Sequence, residues 1–495
     1  TLGNANNLTK PNVGIYTRTV NSITNTGNVS VGDNSIALYG YGINHTNGNI
    51  SVGNNGIGIF SQGGNVSLTA GTLTVGANKV VGVFTAGTNQ TITSTNSMTI
   101  GDASYGFVIK GVGHNLIANN GTVTLGNDSV FAYSDKPGTM TNRTQLVSTG
   151  SGNYGLYSAG NIKNLADINF GSGEGNVGIY SIGGTAVNGD TGLGIRPRII
   201  VNGTDSTNKF YGIGMAAGFT EEVPVGSGNY VTRGLGNIEN HGTINATGTG
   251  SIGIYAENNT NAPKANVTVS SDKQLTVGTD GVGIAVISTT PTPMLVNHGT
   301  SDEGGTTTVT ASGTGSDIKT GVNGKGIYAQ NSDITLTGNY IIETPEKGIG
   351  IFASKNTNVT GTLEYKYNGS TTGTGMGIIY DQLGVASHTN NANVKLTNTT
   401  NTTGGMIGVY TTAGTGNTLT NNGDITGSST ALEFGIVSDG ADVVNKKTIT
   451  LGNAASQANA NVGIYAKSNN TITNNDKVTV GDNAIGIYGY NVENN

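Results

Sequence analysis

The chain has 495 residues, of which 82 are Gly, 34% are hydrophobic and only 11% are charged, with a formal net charge of -6 and no Cys. Apolar and charged fractions this low disfavour ordinary globular domains, while the small net charge disfavours disorder, which leaves a regular repeat. The lack of Cys excludes a disulfide framework, thiolate metal sites and a thiol nucleophile, and the 23 Lys and Arg, only five of them Arg, form no basic stripe that a nucleic acid would require.

The first coil is legible between Gly14 and Tyr41. After "GIY" come "SIT" at Ser22, "VSV" at Val29 and "IALY" at Ile36, separated by Asn-Thr-Gly-Asn and Gly-Asp-Asn. Short bursts of Val, Ile and Thr bounded by Gly, Asn and Asp are strands joined by turns. The last coils repeat the first: Gly463 to Tyr490 matches Gly14 to Tyr41 at sixteen of 28 positions. Between them a Gly-Ile-Tyr-like triplet recurs 18 times, its middle residue running from Ile15, Leu38 and Ile59 through Ile179, Ile213 and Ile254 to Ile464 and Ile487. Most spacings are 21 to 31 residues. Three strands and three turns in that length make one coil, and coils that cannot bury an apolar face alone must stack. The expected fold is therefore all-β: a right-handed parallel β-helix of three-strand coils, about 18 rungs, with almost no α-helix.

Alternation along the strand places Val13 and Ile15, Ile57 and Ile59, Val81 and Val83, Val462 and Ile464, and Ile485 and Ile487 inside, with Gly486 and Tyr488 outside. An aromatic follows the middle residue in 13 of the 18 copies. This predicts a Tyr/Phe stripe on one outer face, with Tyr157, Tyr180, Tyr255 and Tyr328 as candidate contact residues. The alternative is that each ring packs on the ring of the coil below and only cements the stack.

Three regions follow in chain order: coils over 1–180, coils with long inserted loops over 181–325, and coils again over 326–495. In the middle region the triplet spacing lengthens to 34, 41 and 43 residues, and five of the eight Pro gather there. Insertions in solenoids often bind ligands. The candidate ligand-binding loop residues are Arg196, Arg198, Glu221, Glu222, Tyr230, Arg233, Asp302 and Glu303; drift of surface loops without a ligand is the competing reading.

Little else in the sequence points to chemistry. His241 and His298 replace a turn Asn in "NHGT", His45 and His388 sit in Asn/Thr-rich loops, His114 falls in "GVGHN", and no second His stands at metal-ligand spacing. "GSGNYG", "GEGNVG" and "GTGSIG" match Gly-x-Gly-x-x-Gly but run into strands, whereas a dinucleotide site opens a helix. Asp33, Asp102 and Asp482 follow Gly at strand ends where calcium would sit, yet Asn54, Ala77 and Asn127 interrupt that series, so turn residues are expected. A polysaccharide-cleaving site would need acids converging from adjacent coils, and the 29 Asp and Glu are thinly spread. No catalytic, cofactor or metal residues are expected, and no stretch is long and apolar enough to span a bilayer as a helix.

The iterated "VGDNxIGIYGY" unit, the "NNGTVTLGND" and "GNVSVGDN" turns, the missing Cys and the Asn/Thr/Gly background resemble the passenger segment of large monomeric type V autotransporter adhesins, most closely the fusobacterial outer-membrane kind. The resemblance covers nearly the whole chain and is weakest in the loop-rich middle. It implies display on the extracellular side of a bacterial outer membrane by a barrel elsewhere in the protein. The implied partners are host-cell glycans, host receptors or partner bacteria. The expectation is a monomeric, non-enzymatic adhesin segment cut from a longer exported protein; the alternatives are a carbohydrate-active β-helix enzyme and a ligand-free spacer stalk.

Overall fold

A computed structural model describes residues 1–205, 207, 211–218, 220–222, 230–232, 236–258, 268–288, 306–310, 315–355, 357–369, 373–381, 387–398, 405–428 and 431–495. The chain is a right-handed parallel β-helix in two compact units, one formed by 1–219 and 233–248, the other by 220–232 and 249–495. Among the described residues there is no α-helix, only a 3₁₀ turn at Gln457–Asn459.

In the first unit nine parallel strands form one ladder, in which Ile15, Leu38, Ile59, Val83, Phe107, Ala132, Leu156, Ile179 and Met215 succeed one another in register. Met215, not Ile213, takes the slot after Ile179. The spacing of Gly-Ile-Gly-Met hid this, because Ile213 and Met215 share the strand's period of two. A second ladder runs Ile23, Ile43, Val66, Ile92 and onward to Ile238. A third passes through Val29, Ile50 and Leu73. The second unit repeats the plan with Ile254, Ile284, Ile327, Ile351, Ile378, Val409, Ile436, Ile464 and Ile487 in its first ladder. From Ile254 to Ile464 these side chains are fully buried, each contributing roughly 1.5–3 kcal/mol.

One detail of the strand departs from simple alternation. Ile59 and Val83 are in the core, but Ile57 and Val81 are half-buried on the outer side, and it is the intervening Gly that faces inward. A Cβ added at Gly58, Gly82, Gly350 or Gly463 would lie 2.4–2.7 Å from the carbonyl oxygen of the equivalent residue one coil on. The slot tolerates no side chain without a local change, and both Gly and the residue after it turn to the interior. Phe131 is the informative exception: it occupies the Gly slot fully buried, followed by the small Ala132, and meets Phe107 edge-on at 5.5 Å between ring centroids. Val462 is buried too, beneath its outer neighbours, while Ile485 stays exposed in the last coil.

The turns explain the Asn content. Asn34, Asn55, Asp128 and Asn483 have φ between 51 and 55°, the left-handed conformation that Asn and Asp tolerate best after Gly. Their neighbours join coil to coil: Asp33 Oδ1 accepts the N–H of Asn54 at 2.8 Å, Asp102 Oδ1 that of Asn127 at 2.7 Å, and Asn453 Oδ1 that of Asp482 at 2.8 Å.

Inside, a different set of Asn forms ladders that sequence reading took only for turns. In the first unit Asn142 Nδ2 donates to Asn164 Oδ1, Asn164 to Asn188 and Asn188 to Asn240, at 2.8–2.9 Å. In the second, Asn390, Asn421, Asn445, Asn474 and Asn494 form an equivalent chain at 2.7–2.8 Å. Asn390 and Asn421 each also donate to the carbonyl two residues ahead, closing a turn from within. A second departure is that three coils of the second unit fuse two short strands into one, over Asp333–Thr344, Asn358–Tyr367 and Ser387–Asn398. Tyr340, Tyr365, Tyr367 and Tyr380 are wholly buried in this stretch.

His45 and His388 are not the loop residues that the sequence suggested, and His114 lies in the sheet as well. His45 ends a strand in a ladder slot beside Asn25, His114 begins a strand, and His388 lies within one; all three are buried. Asn25 Nδ2 donates to His45 Nδ1 at 2.9 Å, and the His45 Nε2–H donates to Gly48 O at 3.2 Å, so the neutral ring is satisfied. His114 Nε2 and His388 Nε2 are buried without a partner. Burial lowers the pKa of each from its ordinary 6.5. The unfolded chain therefore binds more protons between the lowered values and 6.5, so the contribution to stability is complete above 6.5 and is lost as pH falls below it. Urea midpoints are expected to fall between pH 7 and pH 5, by less in His114→Asn; equal slopes for the two proteins would contradict this.

Candidate functional site

The predicted residues are placed in three ways. Arg198 is committed to the scaffold: its N–H donates to Asp167 Oδ1 at 2.7 Å, and its guanidinium reaches Oδ2 through Nε at 3.1 Å and Nη2 at 2.9 Å. Arg196 Nη1 donates to His241 O at 3.1 Å. Both belong to the first unit, where they border a tight excursion in which Asp190 and Ile195 exchange backbone hydrogen bonds at 2.9 Å. Asp190 also accepts from Leu193 N at 2.9 Å and from Lys163 Nζ at 2.6 Å, which holds its carboxyl below the usual range, the lysine being the main cause. Leu193 stands at the tip, 64% exposed.

Glu221, Glu222 and Tyr230 lie on an antiparallel pair, Thr220–Glu222 with Tyr230–Thr232, in which Glu222 faces Tyr230 and Glu221 faces Val231 across the ladder. Arg233, Asp302, Glu303 and His298 lie outside the described residues.

The aromatic stripe exists, but its ring faces are largely spent on one another. Tyr16, Tyr39, Phe60 and Phe84 stack in sequence at 4.8–5.3 Å. Tyr133 stacks on Tyr157 at 5.1 Å, Tyr157 meets Tyr180 edge-on at 5.0 Å, and Tyr328 stacks on Phe352 at 5.4 Å. Rings at this spacing leave no room for a ligand between them, and the contacts themselves add about 0.5–1.5 kcal/mol per pair. Tyr255 follows a different course: its neighbour one coil on is Ala285, and its hydroxyl donates to Glu257 Oε2 at 2.9 Å.

Where the column lacks an aromatic, ring stacking is interrupted. In the second unit Ile379, Tyr410, Val437, Tyr465 and Tyr488 are successive occupants. Tyr465 stacks on Tyr488 at 5.5 Å on one side, while its other side meets Val437 and the edge of Phe434, 6.1 Å away. Here the outer face carries a groove of about 500 Å³. Its floor is Ile407, Phe434, Val437, Val462 and Tyr465, and one wall is the segment Gln457–Ala460 with its 3₁₀ turn. Leu432, Ile485 and Tyr488 complete the lining, and the nearest ion pair lies outside it. Two residues beyond Val437 and Tyr465 stand Asp439 and Lys467, paired at 3.4 Å, and Tyr410 Oη donates to the other oxygen of Asp439. Burial first, then the hydrogen bond and charge of Asp439, push the Tyr410 phenol up to about 12, so it remains a donor.

Sequence reading missed this groove because four coils, each a repeat apart, contribute to it. The signals present were small: non-aromatic Ile379 and Val437 on either side of Tyr410, and the excursion "NAASQANAN" before Val462. Among the described residues no three His, Asp or Glu side chains converge as a metal site, and no helix is long and apolar enough to cross a membrane. The three Gly-x-Gly-x-x-Gly stretches lead into Tyr154–Ser158, Val177–Ser181 and Ile252–Asn258, all strands.

No protein-family profile matches the chain, no curated protein is detectably similar to it, and no solved structure matches it.

Proposed function

We propose that the chain is a segment of a bacterial cell-surface adhesin, a non-enzymatic stack of coils that presents side excursions for attachment to other bacteria or to host glycans or receptors. The observation that carries this reading is the division of labour along each unit. Ladders, turn Asx side chains and ring stacks hold the coils in register, while extra chain leaves the coil path at Asp190–Ile195 without interrupting that register, and Thr220–Glu222 pairs with Tyr230–Thr232 in a sheet separate from the ladders. The resemblance to autotransporter passengers points the same way and supplies the proposed location outside the outer membrane.

A spacer without a ligand is the second reading, favoured by the stacking of most outer rings on each other. Binding of the purified chain to epithelial cells and to whole bacteria, measured by flow cytometry, separates the two. Adhesion is expected, and replacing 219–235 and 289–305 with Gly/Ser segments of equal length is expected to reduce it. Undiminished binding by the folded variant would remove those loops from the reading, and absence of binding by the parent chain would favour the spacer.

A further inference from the structure

We infer that Asn47 is a site of spontaneous backbone rearrangement, at which the nitrogen of Gly48 attacks the Asn47 side-chain amide and converts it to aspartate or isoaspartate. This goes beyond the adhesin reading and does not depend on it. A Gly after Asn leaves the attacking nitrogen unshielded by a side chain, and the chain has eight such Asn-Gly pairs. The fold separates Asn47 from the other seven. Asn47 is exposed in the turn between Gly42–His45 and Asn49–Val52, and its Oδ1 accepts the N–H of Gly48 at 2.8 Å, so the side-chain carbonyl already lies against the nitrogen that would attack it. Gly48 holds this turn at φ 84°, which favours Gly. Elsewhere the amide is held or the nitrogen is covered. Asn120 and Asn188 are buried in side-chain links, and Asn55, Asn368 and Asn422 donate Nδ2 to Asn34, Glu343 and Asn391 at 2.6–2.9 Å. After Asn323, the Gly324 N–H donates to Gly321 O at 3.1 Å. Beside Asn202, a Cβ on Gly248 would lie 1.9 Å from Gly203 N and 2.4 Å from Asn202 Oδ1, so that chain roofs the pair.

The reaction needs only water. The bond from Gly48 N to Asn47 Cγ forms and the Cγ–Nδ2 bond breaks, while the Gly48 amide proton passes through solvent to the departing nitrogen, which leaves as ammonia. Water then opens the cyclic imide at one of its two carbonyls. One opening gives aspartate; the other routes the backbone through the side chain and gives isoaspartate. Holding the carbonyl against the nitrogen removes much of the orientational cost of closing the ring, whereas an amide bonded to a neighbouring coil must first release its partner. Isoaspartate adds one atom to the backbone of a turn that is fixed on both sides. Asn49 N–H donates to Asn28 Oδ1 at 2.8 Å in the coil before, and Gly48 O accepts from Thr72 N at 3.1 Å in the coil after and from His45 Nε2 at 3.2 Å. The longer turn shifts Asn49 relative to Gly42–His45, and these three bonds are the ones expected to open.

The test incubates the whole folded chain at pH 8.5, where the nucleophilic amide anion is more abundant than at pH 6, and follows each Asn-Gly peptide by mass spectrometry with fragmentation that distinguishes isoaspartate. Conversion at Asn47 is expected to be at least about tenfold faster than at Asn120, Asn188 or Asn422. It is expected to slow at pH 6 and to bring faster hydrogen exchange at Asn49 and Thr72. In guanidinium, where every pair has the same freedom, the rates are expected to converge. Asn47→Gln, which would have to close a larger ring, is expected to keep its melting temperature and to leave Asn49 and Thr72 protected through the same incubation. Equal rates at all eight pairs in the folded chain, or faster conversion at Asn422 than at Asn47, would overturn the site. A lead for Asn47 that persists in guanidinium would trace it to local sequence and overturn the role of the fold. Exchange at Asn49 and Thr72 that rises equally in Asn47→Gln would overturn the link between the rearrangement and the turn.

Discussion

Asn421→Ala is expected to cost about 3–5 kcal/mol, far more than a typical Asn substitution in an Asn-rich protein. Asn421 is fully buried, accepts from Asn390 at 2.7 Å and donates both to Asn445 Oδ1 and to Gly423 O at 2.8 Å. Truncation strands a buried donor above, a buried acceptor below and a turn carbonyl beside it, and also leaves a cavity, because the neighbouring coils cannot close on one another through their backbone ladders. Asn422 is the internal control. It carries the same amide to Asn391 at 2.9 Å on the solvent side, where water replaces the lost partner, so Asn422→Ala is expected to cost under about 1 kcal/mol. Urea denaturation gives the magnitudes. Hydrogen exchange gives the place, with protection lost first in Thr418–Asn421 and Asp442–Asn445. Equal effects of the two substitutions would show that the buried ladder contributes nothing special.

Phe131→Gly is expected to cost a similar amount, about 3–5 kcal/mol, although Gly is what most other coils carry at that slot. The interior volume of one coil is shared between the inward Gly slot and the residue after it: Gly106 precedes Phe107, and Phe131 precedes Ala132. Removing Phe131 therefore leaves a void that Ala132 cannot fill. Ala132→Ile should destabilise the parent by about 1–3 kcal/mol through overpacking, yet stabilise Phe131→Gly by restoring the Gly-Ile arrangement. The change of sign is the diagnostic result. Additive effects in the double variant would mean that the two side chains do not share one space.

Much of this fold is written in local pattern. The period of the Gly-Ile-Tyr triplet, the strands between Asx-Gly turns and the inward Ile59 or Ile436 follow from chain-local rules: turn residues supply left-handed backbone, and alternation selects one face. The same rules gave a wrong side for Ile57 and Val81, because alternation fails where an inward Gly is followed by an inward aliphatic. That failure depends on the carbonyl of the next coil, a contact some two dozen residues away.

Composition could not divide the asparagines. In Asn421-Asn422-Gly423 both amides favour a turn, but the first points into the core and the second to solvent, and only stacking of identical coils turns the first into a link of a buried chain. His45 and His388 differ from expectation for the same reason: flanking Asn and Thr suggest a loop, whereas register places them inside.

The candidate sites divide similarly. Residues such as Arg198 stand out in the sequence by charge and by irregular spacing, yet Arg198 opens a coil strand, Arg198–Val201, and is spent on Asp167. The groove over Val437 leaves only faint marks, since no single coil contains its whole lining. By itself, then, the sequence determined the coil, its period and its aliphatic interior, because those depend on side-chain pattern within one repeat. The tertiary structure alone decided which rings, amides and carboxylates meet, because stacking brings together positions that are regular in space but separated along the chain by a full turn or more.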